Sequence, residues 1–436
     1  MNVKLHIGLP KTGSTAIQRS FFRNRGALLE QELILYPMSL GNPQVSLAVA
    51  FQAPEKVDDQ RMMRDIRTPE DVHAYRQKLL IAFEEELARK RPRTVLLSSE
   101  HLASRLSTEH EIRELHDFLK RFAASVDVYV YIRRQDELAL SYYTTAVKNG
   151  ETSQFSFPEP DAVPHEFYFD RLLTNWSRVF GQERMHVRIY DRGSLPSGDI
   201  VRDFHDFASV PLPGDDVLFE ENPSMSLPML VFLRRFNSLV PKFVDGTAND
   251  LRGDIAAVLD EISMPGERLI PGAAVAAAFL NRFEHGNRNV ARKFFDRDEL
   301  FPGRVPEYPP PNGVRQFDDD DLVTLVARIW CGKQKRVVEA RESLRREMFA
   351  AKTYRAELVL ERGNLERARR ILENILQNYD DIGRVHYLLA VISKRSGELD
   401  EARVFIERAL ALEPGRDAYL QVRDAIRQCA GGSVDP

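Results

Sequence analysis

The chain has 436 residues, of which 43% are hydrophobic, so it is long enough for two or three domains with buried cores. Its formal net charge of -4 gives no general attraction to nucleic acid or anionic membranes, and we expect neither as a partner. The two cysteines, Cys331 and Cys429, are too few for a disulfide framework or a cysteine-based zinc site. No apolar run reaches the length of a signal peptide or of a membrane span, so we expect a soluble, cytoplasmic protein.

Short β-rich runs alternate with helical patterns in the first half of the chain, which is typical of a parallel sheet covered by helices. The predicted strands have the sequences VKLHIGL, ELILYP, TVLLSSE, VDVYVYI and RMHVRIYD. The predicted helices span residues 15–30, 69–91, 109–123 and 136–149. We therefore predict an α/β domain over residues 1–215, with its ligand at the carboxyl ends of the strands.

The first predicted strand runs into the loop GLPKTGST, which begins at Gly8 and leads into the first predicted helix. Gly8 and Gly13 have the spacing of a nucleotide-binding loop, but Ser14 stands where that loop carries its lysine. Lys11 is the only lysine here. Backbone N–H groups, the hydroxyls of Ser14 and Thr15 and one mobile ammonium predict an anion site at the start of the helix. The alternative is an ordinary turn between a strand and a helix.

The third predicted strand ends in LLSSEH, which places Glu100 and His101 at the same edge of the sheet as the loop. Either side chain can act as a general base when its surroundings bring its pKa towards the working pH. The alternative is that Glu100 caps the following turn and His101 is simply packed.

The fourth predicted strand ends at Arg133, and Ser141 follows eight residues later in the next predicted helix. A guanidinium suits a phosphate because it donates two parallel hydrogen bonds, and the serine adds a hydroxyl donor. The alternative is that Arg133 and the adjacent Arg134 are ordinary surface cations.

The pattern K-[ST]-G-[ST]-[ST] after the first strand, with an Arg and a Ser eight residues apart after a later one, resembles the sulfotransferases that use 3′-phosphoadenosine 5′-phosphosulfate (PAPS). The resemblance covers about residues 1–215 and implies a P-loop-like α/β fold. It implies that Glu100 or His101 is the base, with Glu100 favoured because bacterial members carry S-S-E at this place. It also implies that Lys11 assists the leaving group. The implied PAPS site has two parts: Arg133 and Ser141 bind the 3′-phosphate, and the loop binds the 5′-phosphate through Lys11, Thr12, Gly13, Ser14 and Thr15.

The reaction implied by the resemblance is transfer of the sulfuryl group of PAPS to a hydroxyl, or secondarily to an amine, of an acceptor such as a small molecule, a glycan or a glycolipid. No metal ion is expected, because a sulfuryl group carries less charge than a terminal phosphoryl group. One alternative is another P-loop nucleotide-dependent kinase or transferase, against which the missing lysine after Gly13 argues. A second is a non-catalytic scaffold in which the C-terminal repeats carry the function.

Residues 216–345 are predicted to form a helical extension that contains the Pro-rich connector FPGRVPEYPPPNG. The acidic run DDDD that follows the connector is expected to support the N-terminus of a helix and not to bind a metal.

An internal repeat occupies residues 346–430. Its two copies superpose with the pairs Ala356 and Ala390, Gly363 and Gly397, Ala368 and Ala402, and Leu372 and Ile406. This period of 34 residues and the small residues at these positions resemble tetratricopeptide repeats. We therefore predict a short all-α solenoid that ends in a capping helix and offers a surface to a protein partner.

Overall fold

A computed structural model describes residues 1–191, 193–211, 225–245, 247–262, 267–302, 319–377 and 382–431 of the chain. The chain forms two compact units, Met1–Val326 and Ala327–Pro436. Most of the predicted Pro-rich connector and the predicted boundary between residues 215 and 216 lie outside the described residues.

A five-stranded parallel sheet forms the centre of the first unit, as the sequence predicts, and its strands lie in the order β2-β3-β1-β4-β5. The central strand β1 pairs with β3 on one side and with β4 on the other, so that Leu5 lies between Leu97 and Val128. The strands are β1 (Asn2–His6), β2 (Ile34–Leu35), β3 (Thr94–Ser98), β4 (Ser125–Ile132) and β5 (Met185–Ile189).

Within the described residues up to Val210, nine α-helices accompany this sheet, and four of them correspond within three residues at each end to the predicted helices. Two begin at capping boxes, in which Thr68 and Asp71, or Thr108 and Glu111, exchange hydrogen bonds between side chain and backbone. The helices are α1 (Ser14–Glu32), α2 (Val45–Phe51), α3 (Asp59–Met62), α4 (Pro69–Lys90), α5 (Glu100–Arg105), α6 (Glu109–Lys120), α7 (Gln135–Lys148), α8 (Phe169–Phe180) and α9 (Ile200–Phe207).

Both faces of the sheet are buried, because successive side chains of a strand point to opposite faces. On β4, Val128 and Val130 belong to the larger core on one face, which includes residues of α2, α4, α6 and α8. Tyr129 and Tyr131 alternate with them and belong to a second core, to which α1 and α9 contribute. The near-continuous apolar runs predicted as buried strands are therefore confirmed.

The rest of the first unit is mostly helical, and Phe279 and Phe283 of this region join the larger core. A small antiparallel hairpin interrupts the helices; the sequence did not predict it, because two-residue strands are too short to show an alternating pattern. The elements are α10 (Leu227–Leu239), β6 (Phe243–Val244), β7 (Thr247–Ala248), α11 (Ile255–Ile262), α12 (Ala273–Asn281) and α13 (Glu284–Phe295).

The second unit is all helical over its described residues and contains two copies of the predicted repeat. Gly363 and Gly397 both have φ of 80°, the left-handed conformation that ends a helix without steric strain on glycine. The equivalent residues Ala368 and Ala402 are both fully buried, since small side chains let paired helices approach closely. The helices are α14 (Asp319–Glu361), α15 (Leu365–Leu376), α16 (Gly383–Arg395), α17 (Leu399–Leu412) and α18 (Asp417–Gly431), the last being the predicted capping helix.

Helix α14 is longer than any predicted element, at 43 residues. It starts in the first unit and ends in the second, and the predicted boundary between residues 345 and 346 falls inside it. The acidic run DDDD contributes the start of this helix, although its side chains lie outside the described residues.

Candidate functional site

The loop between β1 and α1 is held at the carboxyl edge of the sheet by hydrogen bonds to β4 on one side and to α5 on the other. The Leu9 amide donates to the Tyr131 carbonyl at 3.1 Å, and the Ala103 amide donates to the Ile7 carbonyl at 3.2 Å. Gly8 has φ of 111°, and a Cβ added there would lie 2.9 Å from the Cα of Glu100. A larger residue therefore does not fit at Gly8, and the loop packs directly on the start of α5.

Five consecutive backbone amides of this loop, those of residues 11–15, donate no hydrogen bond within the described part of the chain. Lys11 and Gly13 both have the left-handed conformation, with φ of 65° and 82°. Such a backbone turns successive N–H groups towards one point, and the N-terminus of α1 adds its partial positive charge. The backbone of residues 11–15 therefore has donors available for an anion, and the anion-binding role of the loop stays a prediction.

The hydroxyl groups of the loop differ in whether they already have a hydrogen-bond partner. The Thr12 hydroxyl donates to the Leu9 carbonyl at 2.6 Å, so Thr12 has only its amide left for a ligand. Ser14 is buried and Thr15 is exposed, and neither hydroxyl has a hydrogen-bond partner among the described residues. Both hydroxyls are available beside the free amides.

Lys11 carries the positive charge of the loop. Its surroundings lower the pKa of its ammonium below the ordinary value of 10.5, chiefly through burial and then through repulsion by Lys148, whereas the charge of Glu100 opposes this shift. Lys148, at the end of α7, is itself bonded to Asp260 of α11 at 2.7 and 2.8 Å. Lys11 therefore lies within electrostatic reach of both a second cation and the candidate base.

Glu100 is the first residue of α5, which follows β3. Its carboxylate accepts a hydrogen bond from a side chain of α1. The Gln18 amide group donates to Oε2 of Glu100 at 2.6 Å, and Gln18 is buried. The other carboxylate oxygen accepts no hydrogen bond within the described part of the chain. One oxygen is thus fixed, and the other is available to accept a proton.

His101 is less suited to be the base. Its Nδ1 accepts a hydrogen bond of 3.1 Å from Arg105, whose guanidinium also binds Asp58 and Asp59. This bond leaves the proton of the neutral ring on Nε2. Burial is the main cause that lowers the pKa of His101, and Arg105 adds to it. Glu100 thus has a free acceptor oxygen whereas Nδ1 of His101 is occupied, and the choice of the base stays a prediction.

Arg133 follows β4 and braces the loop from the opposite side. Its guanidinium donates to the Lys11 carbonyl and to Glu137, both at 3.2 Å, and lies 5.4 Å from the centre of the Tyr190 ring. The resemblance to the sulfotransferases assigns Arg133 to the 3′-phosphate and the loop to the 5′-phosphate, and the role of Arg133 stays a prediction. By contrast, the adjacent Arg134 is buried and pairs with buried Asp136, which indicates a structural role.

Ser141 lies on α7, is partly buried, and its hydroxyl has no hydrogen-bond partner in the described part of the chain. Within the described residues, no hydrogen bond joins Ser141 to the loop. The structure therefore brings together Lys11, Glu100 and Arg133, whereas the place of Ser141 in the site stays a prediction.

Two residues near the site were missed in the sequence. Gln18 lies one helical turn after Ser14, and Lys148 lies two turns after Ser141, so each is on the helix face of a predicted site residue. This spacing was the signal that could have found them.

No cluster of three or more metal-binding side chains occurs among the described residues. Within the same residues, no helix is both long and apolar enough to cross a membrane.

The second unit has a separate concave feature, a groove of about 740 Å³ between α14 and the start of α16. Phe349, Thr353, Tyr354 and Arg384 line it, and Arg384 is paired with Glu357 at 2.7 Å.

The comparisons with known proteins bear mainly on the second unit. Residues 350–426 match the tetratricopeptide repeat family, which confirms the predicted repeat module. A protein of Archaeoglobus fulgidus described as uncharacterized is 29% identical over 203 residues, which cover 44% of this chain and 52% of that protein. The chain thus spans about half the length of this relative. No solved structure gives a significant match.

Proposed function

We propose that the chain is a PAPS-dependent sulfotransferase with a C-terminal tetratricopeptide module. The observation that carries this proposal is the loop of residues 11–15, whose free amides and Lys11 lie between Glu100 at the start of α5 and Arg133 just after β4. An anion site with a cation, flanked by a carboxylate on one side and a guanidinium on the other, fits a sulfuryl donor and its proton acceptor.

In the proposed reaction an acceptor hydroxyl attacks the sulfur of PAPS. The new bond joins the acceptor oxygen to sulfur, and the bond that breaks joins sulfur to the bridging oxygen of the 5′-phosphate. The proton of the hydroxyl goes to the free oxygen of Glu100, and the ammonium of Lys11 stabilises the charge that develops on the leaving 3′,5′-ADP. We propose a glycan or glycolipid hydroxyl as the acceptor, by analogy with the family.

Calorimetry of the full chain with 3′,5′-ADP and with ATP plus magnesium tests this proposal. We expect 3′,5′-ADP to bind tightly without any metal ion. ATP with magnesium should bind more weakly, because the loop lacks the lysine after Gly13 that binds a nucleotide triphosphate. Preference for ATP with magnesium would instead support a kinase, and binding of neither nucleotide would support a scaffold. Transfer of label from radiolabelled PAPS to a panel of glycans then identifies the acceptor.

Arg133→Ala should weaken binding of 3′,5′-ADP by about 10- to 150-fold, since a charge-assisted contact of this kind contributes roughly 1.5 to 3 kcal/mol. Adenosine 5′-phosphosulfate lacks the 3′-phosphate, so Arg133→Ala should weaken its binding much less. It therefore serves as the matched control ligand. Arg133→Lys keeps the positive charge but not the planar guanidinium, so its affinity for 3′,5′-ADP should lie between those of the unchanged protein and of Arg133→Ala. Calorimetry with both ligands gives the comparison, and equal losses for the two would remove Arg133 from the 3′-phosphate site.

A further inference from the structure

Helix α14 carries a heptad row of side chains within the second unit. Trp330, Val337 and Leu344 are spaced by seven residues and correspond to the a positions of a coiled coil. They are exposed by 66%, 41% and 60%, respectively, although large apolar side chains are usually buried. The d positions between and after them are Lys333, Ala340 and Glu347.

This stretch of α14 has almost no tertiary support from the described residues of the second unit. From Ala327 to Met348 nearly all side chains are exposed, whereas towards the end of α14 Ala356 and Leu360 pack into the repeats. A helix gains most of its stability from packing one apolar face. Single exposed apolar residues are common on protein surfaces, whereas exposed apolar residues at heptad spacing are not. The row therefore indicates a helical partner.

The charges on the helix favour a second copy of α14 in antiparallel orientation. In a parallel pair, Lys333 and Glu347 would each face their own copy in the core, and Arg336 at g would face Arg341 at e of the second copy. In an antiparallel pair that crosses between Val337 and Ala340, each Lys333 comes within one turn, about 4.5 Å along the axis, of Glu347 of the second copy.

Other contacts of the antiparallel pair are also compatible. Trp330 packs against the aliphatic part of Glu347 of the second copy, and Arg341 lies beside the uncharged Gln334 instead of another arginine. Two opposite-charge pairs thus replace the like-charge contacts of the parallel arrangement. We propose that the chain forms a homodimer through an antiparallel coiled coil of α14, centred on the stretch between Trp330 and Glu347.

Sedimentation equilibrium of the full chain across the micromolar range tests this proposal. The unchanged chain should be a dimer, and Val337→Lys should raise the dimer dissociation constant by more than about tenfold, because it places a charge in the apolar seam. Val338→Lys is the matched control: Val338 is also exposed, at 51%, but lies at a b position on the outside of the pair. It should leave the dimer intact.

The orientation is tested by exchanging charges. Lys333→Glu and Glu347→Lys should each weaken the dimer, and the double exchange should restore it, because the opposite-charge pairs re-form only when the helices are antiparallel. Circular dichroism verifies that all variants keep their helical content. The proposal is overturned if the unchanged chain is a monomer, if both valine variants behave alike, or if the double exchange fails to restore the dimer.

Discussion

Lys11→Ala should lower turnover by about 10²- to 10³-fold, the size of effect seen when one donor to a developing oxyanion is removed. Binding of 3′,5′-ADP should weaken far less, because the main contribution of the ammonium arises as the bridging oxygen gains charge in the transition state. The two quantities are measured as release of label from radiolabelled PAPS and by calorimetry. Equal losses in turnover and affinity would make Lys11 a binding residue only.

The neighbouring lysine provides a control with a different readout. Repulsion by Lys148 contributes to the lowered pKa of Lys11, so Lys148→Ala should raise the pKa of Lys11. Activity that requires charged Lys11 is lost as pH rises through its pKa. The basic limb of kcat/KM against pH should therefore move to higher pH in Lys148→Ala. An unmoved limb would show that Lys11 is not the group titrating there.

Glu100→Gln should lower turnover by about 10²- to 10⁴-fold while affinity for 3′,5′-ADP holds. Glutamine keeps the size of the side chain and can still accept the hydrogen bond from Gln18, but it has no basic oxygen. Turnover is measured with labelled PAPS and the acceptor identified by the glycan panel, and affinity is measured by calorimetry.

His101→Ala is the companion variant and should be much milder, since Nδ1 of His101 already accepts a hydrogen bond from Arg105. If His101→Ala were inactive and Glu100→Gln active, His101 and not Glu100 would be the base. Near-normal rates in both variants would mean that the proton goes elsewhere and that the end of β3 is structural.

The local features of this protein could be predicted from its sequence. Apolar runs, helical periodicity and capping residues predicted five strands, four helices of the α/β half and a helical repeat, and the structure confirms them. The loop around Lys11 could be found because its glycines and hydroxyls are contiguous in the chain. The sulfotransferase activity and the fold of that family remain proposals.

The arrangement of the site could not be predicted from one-dimensional patterns. The strand order decides it, because β1 lies between β3 and β4 and so places Glu100 and Arg133 on opposite sides of the same loop. Local periodicity carries no information on which strands become neighbours.

The sequence by itself determined the elements and the chemistry-bearing loop, since turn, helix and strand propensities act over a few residues. Only the tertiary structure decided which side chains meet. The hydrogen bond from Gln18 to Glu100 joins residues 82 positions apart, and the effect of Lys148 on Lys11 likewise depends on how α7 packs beside the loop. Such contacts follow from the packing of whole elements around the cores, and no short segment encodes them alone.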